Sequence, residues 1–416
     1  MFALRTNLIA KRSLWTRVTA SGATIEECVQ AAVGSVEKSP NVCVALASKS
    51  FTSTHYKRLL SDIEKQLYPS LLLGCVIDRV PHMDHGISLL LGYDEDIVPF
   101  QIKDSQDRNK VRSISVGRWG RQEDKGRLQS QSEHIDKFGW DKFGTVSTPL
   151  QPFQLPKSVE EKADVPTFVF TVSDNEPDEF YQTLDHHYPE TAKVGIIGAS
   201  TPFVTGMPYT LFLKDQLLDS GIVGFASYNK RASSVEVQHT ALERLGEPVK
   251  ITRCRGNVIL DLDQGGATGL LLKLIQGKSN KMSKDEEFYL GIYPLDKDTC
   301  EKELTVGRIT SGDPSRGNLA VDTTLDLQVG QTVQFMRKSP SGSINASNGP
   351  EESTIVLGVT DKDHTIDASP VQLPIEPIVD LDVFGGVSEN GVVVGRKGVP
   401  SQVLDVPLSR VILKIE

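Results

Sequence analysis

QLYPSLLLGCVI (residues 66–77) and HHYPETAKVGIIGAS (residues 186–200) follow one plan. In each, a helix-like segment stops at Tyr-Pro, because proline disfavours helix in the residue before it. An apolar run then passes through a glycine, Gly74 or Gly195. Upstream of the first stretch, NVCVALAS (41–48) reads as a short buried strand and STHYKRLLSDIEKQL (53–67) as an amphipathic helix. Upstream of the second, TFVFTVSD (167–174) reads as a strand and PDEFYQTLDHH (177–187) as a helix, with Asp174 or Asn175 as its N-cap. Further strands follow both: GISLLLG (86–92), VPFQIK (98–103) and SISVGRW (113–119) after the first, YTLFLKDQ (209–216) and GIVGFAS (221–227) after the second. A whole α/β unit is therefore built twice, most simply by duplication. The expected fold is α/β, with α+β as the alternative: two related units of mixed sheet flanked by helices, plus a strand-rich C-terminal part.

This reading divides the chain at residues 1–20, 22–120, 121–166, 167–280 and 281–416. The first unit opens with TIEECVQAAVGSVEK, where Thr24 and Glu27 have capping-box spacing. Residues 121–166 are polar, charged and proline-bearing, and read as an exposed linker. After the second unit, a helix is expected beyond Gly266. Short strands follow at FYLGIYP, LTVGRIT, NLAVDTT and QTVQFMR, then a polar loop over 338–354.

The 416 residues are 38% hydrophobic and 24% charged, with a net charge of −9, which argues against a general nucleic-acid binder. No apolar run approaches the ~20 residues of a membrane span. The first residues differ from the rest: Arg5, Lys11, Arg12 and Arg17 occur with no acid before Glu26. Phe2, Leu4, Leu8, Ile9 and Trp15 are interleaved with them. That composition suits a mitochondrial presequence over residues 1–20 and a matrix location, with cytoplasm or nucleus as the alternative. Five cysteines without CxxC spacing suggest neither a disulfide framework nor a zinc site. The sequon at Asn345 is read as silent.

From Gly195 onward the succession is specific. LLDSGIVGFAS is followed by LGEPVKITRCRGNVILDLDQGGATGLLLKLI, LGIYP and GRITSGDPSRGNLAVDTTLDLQVGQTVQFMR, and then by an FGG-x-S-x-x-G turn at Phe384–Gly391. This order resembles the FIST domain, and YPSLLLGCV with GISLLLG resembles the start of the same domain. The resemblance spans roughly residues 22–416. It implies a sensory or ligand-binding module for small molecules such as amino acids, without a set of catalytic residues. In an animal F-box protein the domain serves as a substrate receptor for ubiquitin-dependent degradation. Here a presequence-like segment stands where the N-terminal helical bundle of such a role would be expected.

Several chemistries fail on the residues. Gly277-Lys278-Ser279 lacks the earlier glycine of a phosphate-binding loop, since Leu272 stands there. His82, Asp84 and His85 sit beside a proline with no third distant ligand indicated. His186 and His187 end a helix, where the dipole favours a protonated ring. Ser200 is not in Gly-x-Ser-x-Gly, and Cys75 lies in an apolar run. The residues retained as a ligand site are Gly74, Cys75, Gly195, Gly198, Ser200, Arg308, Gly385, Gly386, Ser388 and Glu389. The glycines admit close backbone approach, the serines and Glu389 supply polar groups, and Arg308 offers a carboxylate fork. The leading expectation is a non-catalytic module for an amino acid or organic acid, with no cofactor and no metal. The rivals are an interaction protein recruiting a protein partner, and a hydrolase or transferase using Cys75 or Ser200.

Overall fold

The structure is a computed structural model. It describes residues 14–34, 36, 38–94, 96–103, 154–175, 177–229, 233–263, 265–276, 286–295, 304–323, 325–339, 354–361 and 373–415. The strand read at 113–119, residues 121–153 of the linker, the Gly277-Lys278-Ser279 segment, the sequon and most of the 338–354 loop lie outside these. The described residues are 16% helix and 48% strand, so the units of the α/β reading are present but sheet dominates. No helix among them is long and apolar enough to cross a membrane.

The first unit runs β1 (Trp15–Ser21), α1 (Ile25–Val33), β2 (Val42–Ser48), α2 (Ser53–Leu67), β3 (Leu71–Ile77) and β4 (Ile87–Gly92). The second runs β5 (Ile97–Ile102), α3 (Lys157–Glu160), β6 (Phe168–Ser173), α4 (Asp178–His187), β7 (Ala192–Ile197), the hairpin β8 (Leu211–Leu213) and β9 (Gln216–Leu218), then β10 (Ile222–Ser227). Their sheets share one strand order: β1-β4-β2-β3-β8-β9 in the first, β5-β10-β6-β7 in the second, with every neighbour antiparallel except the central β2/β3 and β6/β7 pairs.

The rest of the chain begins with β11 (Ser233–His239). A closed antiparallel barrel follows, made of β12 (Leu242–Arg255), β13 (Val258–Leu262), β15 (Phe288–Ile292), β16 (Thr305–Gly312), β17 (Leu319–Asp322) and β18 (Thr332–Lys338). Its strand order is β12-β18-β15-β16-β17-β13, and β13 pairs back onto β12. The short β14 (Gly265–Gly266) leads into α5 (Ala267–Gln276), whose Ala267 and Leu271 join the barrel core. The chain then returns through β19 (Thr354–Val359), β20 (Ile378–Leu381), β21 (Gly385–Ser388), β22 (Val392–Arg396), β23 (Val399–Leu404) and β24 (Ser409–Ile415). β22 and β23 complete the second sheet beside β7, β20 adds an edge beside β1, and β11-β24-β19-β21 form a small sheet of their own.

Side-chain alternation along the strands builds the layers. Val42, Val44 and Leu46 of β2, with Leu71, Leu73, Cys75 and Ile77 of β3, face the partner sheet and meet Phe168, Phe170, Val172, Val194 and Ile196. The opposite faces, Cys43, Ala45, Ala47, Leu72 and Val76, lie under Cys28 and Val29 of α1 and Leu59, Leu60 and Ile63 of α2. Phe180 and Leu184 of α4 cover the second sheet in the same way. The result is four layers: helices, sheet, sheet, helices.

Several expectations need correction. Residues 15–20, assigned above to a presequence, are strand β1: Arg17 is only 3% exposed, and its guanidinium donates to the Trp15 carbonyl and faces Asp382. A basic residue inside a short alternating strand is indistinguishable by composition from one in a leader. The strand at 97–102, read with the first unit, pairs on β10 of the second. The end of the supposed linker is ordered as α3, because Leu155 and Val159, one helical turn apart, are buried against the second sheet. Asp174 does not cap α4, whose N-cap is Pro177 without a side-chain bond; its carboxylate accepts from the Gly221 N–H at 2.6 Å. At α1, Thr24 accepts from Glu27 N as expected, while Glu27 reaches back to the Ala23 N–H, one residue beyond the expected partner.

Candidate functional site

The C-terminal ends of β2, β3 and β7 point to one place, and the turn from β21 to β22 closes over it. Lys49 is the first residue past β2, Asp78 the first past β3, and Ser200 the third past β7. The two units join directly here, since Ala199 N–H donates to the Val76 carbonyl at 2.9 Å. The turn is fixed against β3 by Asp78 N–H to the Val387 carbonyl and Val387 N–H to the Arg79 carbonyl, each 3.0 Å.

Polar side chains fill this junction. Asp78 is 4% exposed, and its carboxylate accepts from Thr360 Oγ1 at 3.0 Å, from the Glu389 N–H and from Lys49 Nζ. Lys49 also lies 3.4 Å from Glu389 Oε2. Glu389 Oε1 accepts from the Ser200 N–H at 3.2 Å, and Asn390 Nδ2 donates to the Gly198 carbonyl at 2.8 Å and to Ser200 Oγ at 3.4 Å. Buried Ser388 accepts from the Asn390 N–H and holds the turn's shape. Burial pushes the Asp78 carboxyl up, Glu389 adds to that, and Lys49 and Thr360 offset it only in part. Burial acts against the Lys49 ammonium, but Asp78 and Glu389 outweigh it and hold its pKa above the ordinary lysine value. One cation thus stands between two carboxylates, half open to solvent.

Of the residues singled out from sequence, Gly198, Ser200, Gly386, Ser388 and Glu389 come together here, while Gly385 lies deeper along β21, its N–H donating to Ser88 Oγ. Gly386 packs on Ile77, and Gly198 packs over Cys75. The role imagined for the glycines changes, however. A side chain at Gly74 would collide with the Ala45 carbonyl of the parallel neighbour, and one at Gly385 with that of Val356. A side chain at Gly195 would strike Thr171 Oγ1 and the Tyr181 hydroxyl, which are bonded to each other. At these three glycines the missing side chain admits close strand packing. Cys75 is fully buried and burial pushes its thiol up, opposite to what a nucleophilic thiolate requires. Arg308 stands apart, on barrel strand β16, level with Tyr289 and Asp322 and paired with Glu287 at 3.4 Å. His82, Asp84 and His85 each engage a different partner, namely Asp380, Arg79 and Ser50. Among the described residues no group of three or more His, Cys, Asp or Glu is arranged to hold a metal.

Lys49, Asp78, Thr360 and Asn390 are new to the site. The signal for the first two was present in the sequence: a charged residue immediately after a fully apolar strand marks the strand end where α/β proteins place ligands.

Compared with protein families, residues 41–265 match the FIST N domain, more than half of the chain. The chain belongs to the FIST family. The match begins one residue before β2 and so takes in the Lys49–Asp78 pair, both central parallel pairs and Ser200 of this FIST protein. Glu389 and Asn390 come to the site from outside the matched segment. No curated protein matches the chain.

Proposed function

We propose that this FIST protein is a ligand-binding, sensory module, and that the strand-end junction receives a small zwitterion of the amino-acid type. The observation that carries the reading is the arrangement of Lys49 between Asp78 and Glu389, with the Ser200 N–H taken by Glu389. A ligand carboxylate can replace Glu389 on the Ser200 N–H and on Lys49, as one charge-assisted set for another. Glu389, released, then accepts the ligand's ammonium group, with the Ser200 hydroxyl beside it. Exchange of this kind leaves no buried charge unpaired, which is the condition for binding a charged molecule in a half-buried site.

A thermal-shift panel of amino acids, organic acids and amines on the full chain tests this. Amino acids are expected to stabilise the protein, and Glu389→Gln and Asn390→Ala to remove the shift. Arg308→Ala, outside the junction, is expected to keep it. A panel without any shift, or shifts that survive both junction variants, would overturn the reading.

We also propose that an import address resides in the residues before Trp15, supported by Arg5, Lys11 and Arg12 without an acid. A C-terminally tagged chain is expected in mitochondria, with any processing upstream of β1. Cytosolic or nuclear signal would remove the proposal.

A further inference from the structure

Ser50 and His85 form a pair that the strand-end junction does not use. Ser50 is the second residue past β2, in the connection of residues 49–52 that leads into α2, and His85 stands two residues before β4. Ser50 Oγ lies 2.7 Å from His85 Nδ1. Their settings differ: Ser50 is exposed, whereas His85 is only 7% exposed. The bond therefore serves the histidine, since a surface serine has water at hand.

The neighbours decide where the protons go. Gly86 N–H donates to Ser48 Oγ at 3.0 Å, and the Ser48 hydroxyl turns its own proton to Ser50 Oγ, 2.8 Å away. Ser50 Oγ keeps its proton for His85 Nδ1, because its other acceptor, the Asp84 carbonyl, is at 3.4 Å. This arrangement needs a neutral ring that carries its proton on Nε2. Nε2 has no partner at hydrogen-bonding distance, but the Gly22 main chain acts on the ring in favour of a proton. Burial, aided by His55, outweighs Gly22 and holds the ring below the ordinary histidine value, so it is neutral at physiological pH. The Phe51 ring packs on it, with centroids 4.0 Å apart.

A hydroxyl bonded to the bare nitrogen of a buried, neutral imidazole is the pairing that turns serine into a nucleophile. The carboxylate beside His85 in the chain, Asp84, is engaged with Arg79 at 3.3 Å, so the pair works as a dyad. The second observation is main-chain. Among the described residues the N–H groups of Ser50 and Phe51 donate to no acceptor, which leaves two donors next to Oγ for the oxyanion of an acyl adduct. The pair also stands at a strand end ahead of a long helix, the place where α/β proteins put ligand sites.

We propose that Ser50 is an acyl-accepting nucleophile with His85 as its general base, and that the substrates are small activated acyl compounds, esters or thioesters. Ser50 Oγ bonds the acyl carbon while its proton passes to His85 Nδ1. The C–O or C–S bond to the leaving group breaks, and the leaving alkoxide or thiolate takes that proton. Water then gives a proton to Nδ1 and bonds the acyl carbon. The acyl–Oγ bond breaks, Ser50 recovers the proton, and a carboxylic acid departs. In the second unit the corresponding place, two residues past β6, is held by Asn175, so the activity belongs to the first unit alone.

Treating the full chain with 4-nitrophenyl acetate, and following both nitrophenolate release and the acetylated peptides by mass spectrometry, tests the proposal. A burst stoichiometric with protein is expected, with the acetyl group on Ser50. Ser50→Ala is expected to abolish the burst and His85→Gln to slow it by about a hundredfold or more, with folding of each checked by circular dichroism. His82→Gln, whose ring is bonded to Asp380, is expected to leave it unchanged. A fluorophosphonate, which needs the same activated hydroxyl, is expected to label Ser50 of the unsubstituted protein, so a His85 variant that does not fold still leaves a decision. The proposal is overturned if Ser50 carries no adduct with either reagent, if the burst survives Ser50→Ala, or if folded His85→Gln is acylated at the native rate. No amino acid enters the assay, so its outcome is separate from that of the thermal-shift panel.

Discussion

The two α/β units share strand order, strand polarity and the placement of the long helix, yet their strand ends carry different chemistry. Where the first places Lys49 after β2 and Asp78 after β3, the second places Asp174 after β6 and Gly198 after β7. Asp78 is buried beneath an ammonium group, whereas Asp174 is tied to a main-chain N–H of its own sheet. One pair of strand ends holds ion pairs partly open to solvent. The other holds a structural bond and a glycine that lets the units approach. Within one shared strand order, these few positions give the two sets of strand ends different chemistry.

The sharpest break of the comparison concerns β1, the counterpart of β5. Removing residues 1–21 takes out the strand between β20 and β4, with Trp15 and Val18 from the core, and is expected to abolish cooperative unfolding in circular dichroism. Next, Lys49→Met strands Asp78 without its cation and is expected to cost about 2–4 kcal/mol in denaturant unfolding, somewhat below the figure for a wholly buried pair. The matching Asp174→Asn change in the second unit is expected to cost about 1 kcal/mol. Equal losses would erase the distinction drawn between the strand ends.

A third measurement concerns the small sheet that joins the units to the barrel. Burial, aided by Arg396, pushes His239 down to about 4. The unfolded chain takes up that proton near 6.5 and the folded one only near 4, so acid favours unfolding between these values. The contribution is complete above pH 6.5, fades as pH falls toward 4, and amounts to about 3 kcal/mol. His239→Gln is expected to flatten stability over that window.

Fourth, Gly74→Ala and Gly195→Ala are each expected to destabilise by about 1–3 kcal/mol. Only the second has a side-chain obstacle, so adding Tyr181→Phe should recover part of its loss, whereas the Ala45 carbonyl opposite Gly74 cannot be removed. Smallest of all, site-mapped alkylation of the native protein at neutral pH should leave Cys75 unmodified. Rapid labelling there would restore the nucleophile reading.

The repeat was legible because local signals carried it: Tyr-Pro stops, apolar runs of strand length, and helical spacing in 53–67 and 177–187. What was not legible was where a strand goes. Leu211–Leu213 and Val392–Arg396 announce themselves as strands, but nothing local says that the first joins the opposite unit's sheet or that the second crosses back to β7. Arg308 failed for the same reason: its strand was found, but its neighbours across the barrel, Tyr289 and Asp322, are set by closure of a sheet over many residues. The Gly-rich turn at 384–391 was found because its glycines and polar residues are contiguous. Lys49 and Asp78 were passed over because each is a single charge after a strand, and their meeting depends on the parallel β2/β3 pairing.

The crossing of strands between units has a consequence for synthesis on the ribosome. The first sheet awaits its outer hairpin until residue 218 has emerged and its edge strand until residue 381, and the second lacks its β22–β23 flank until residue 404. Neither half can therefore finish before almost the entire polypeptide is available. A nascent chain halted at the end of the matched segment would present open sheet edges, the surfaces on which strands of other chains can pair.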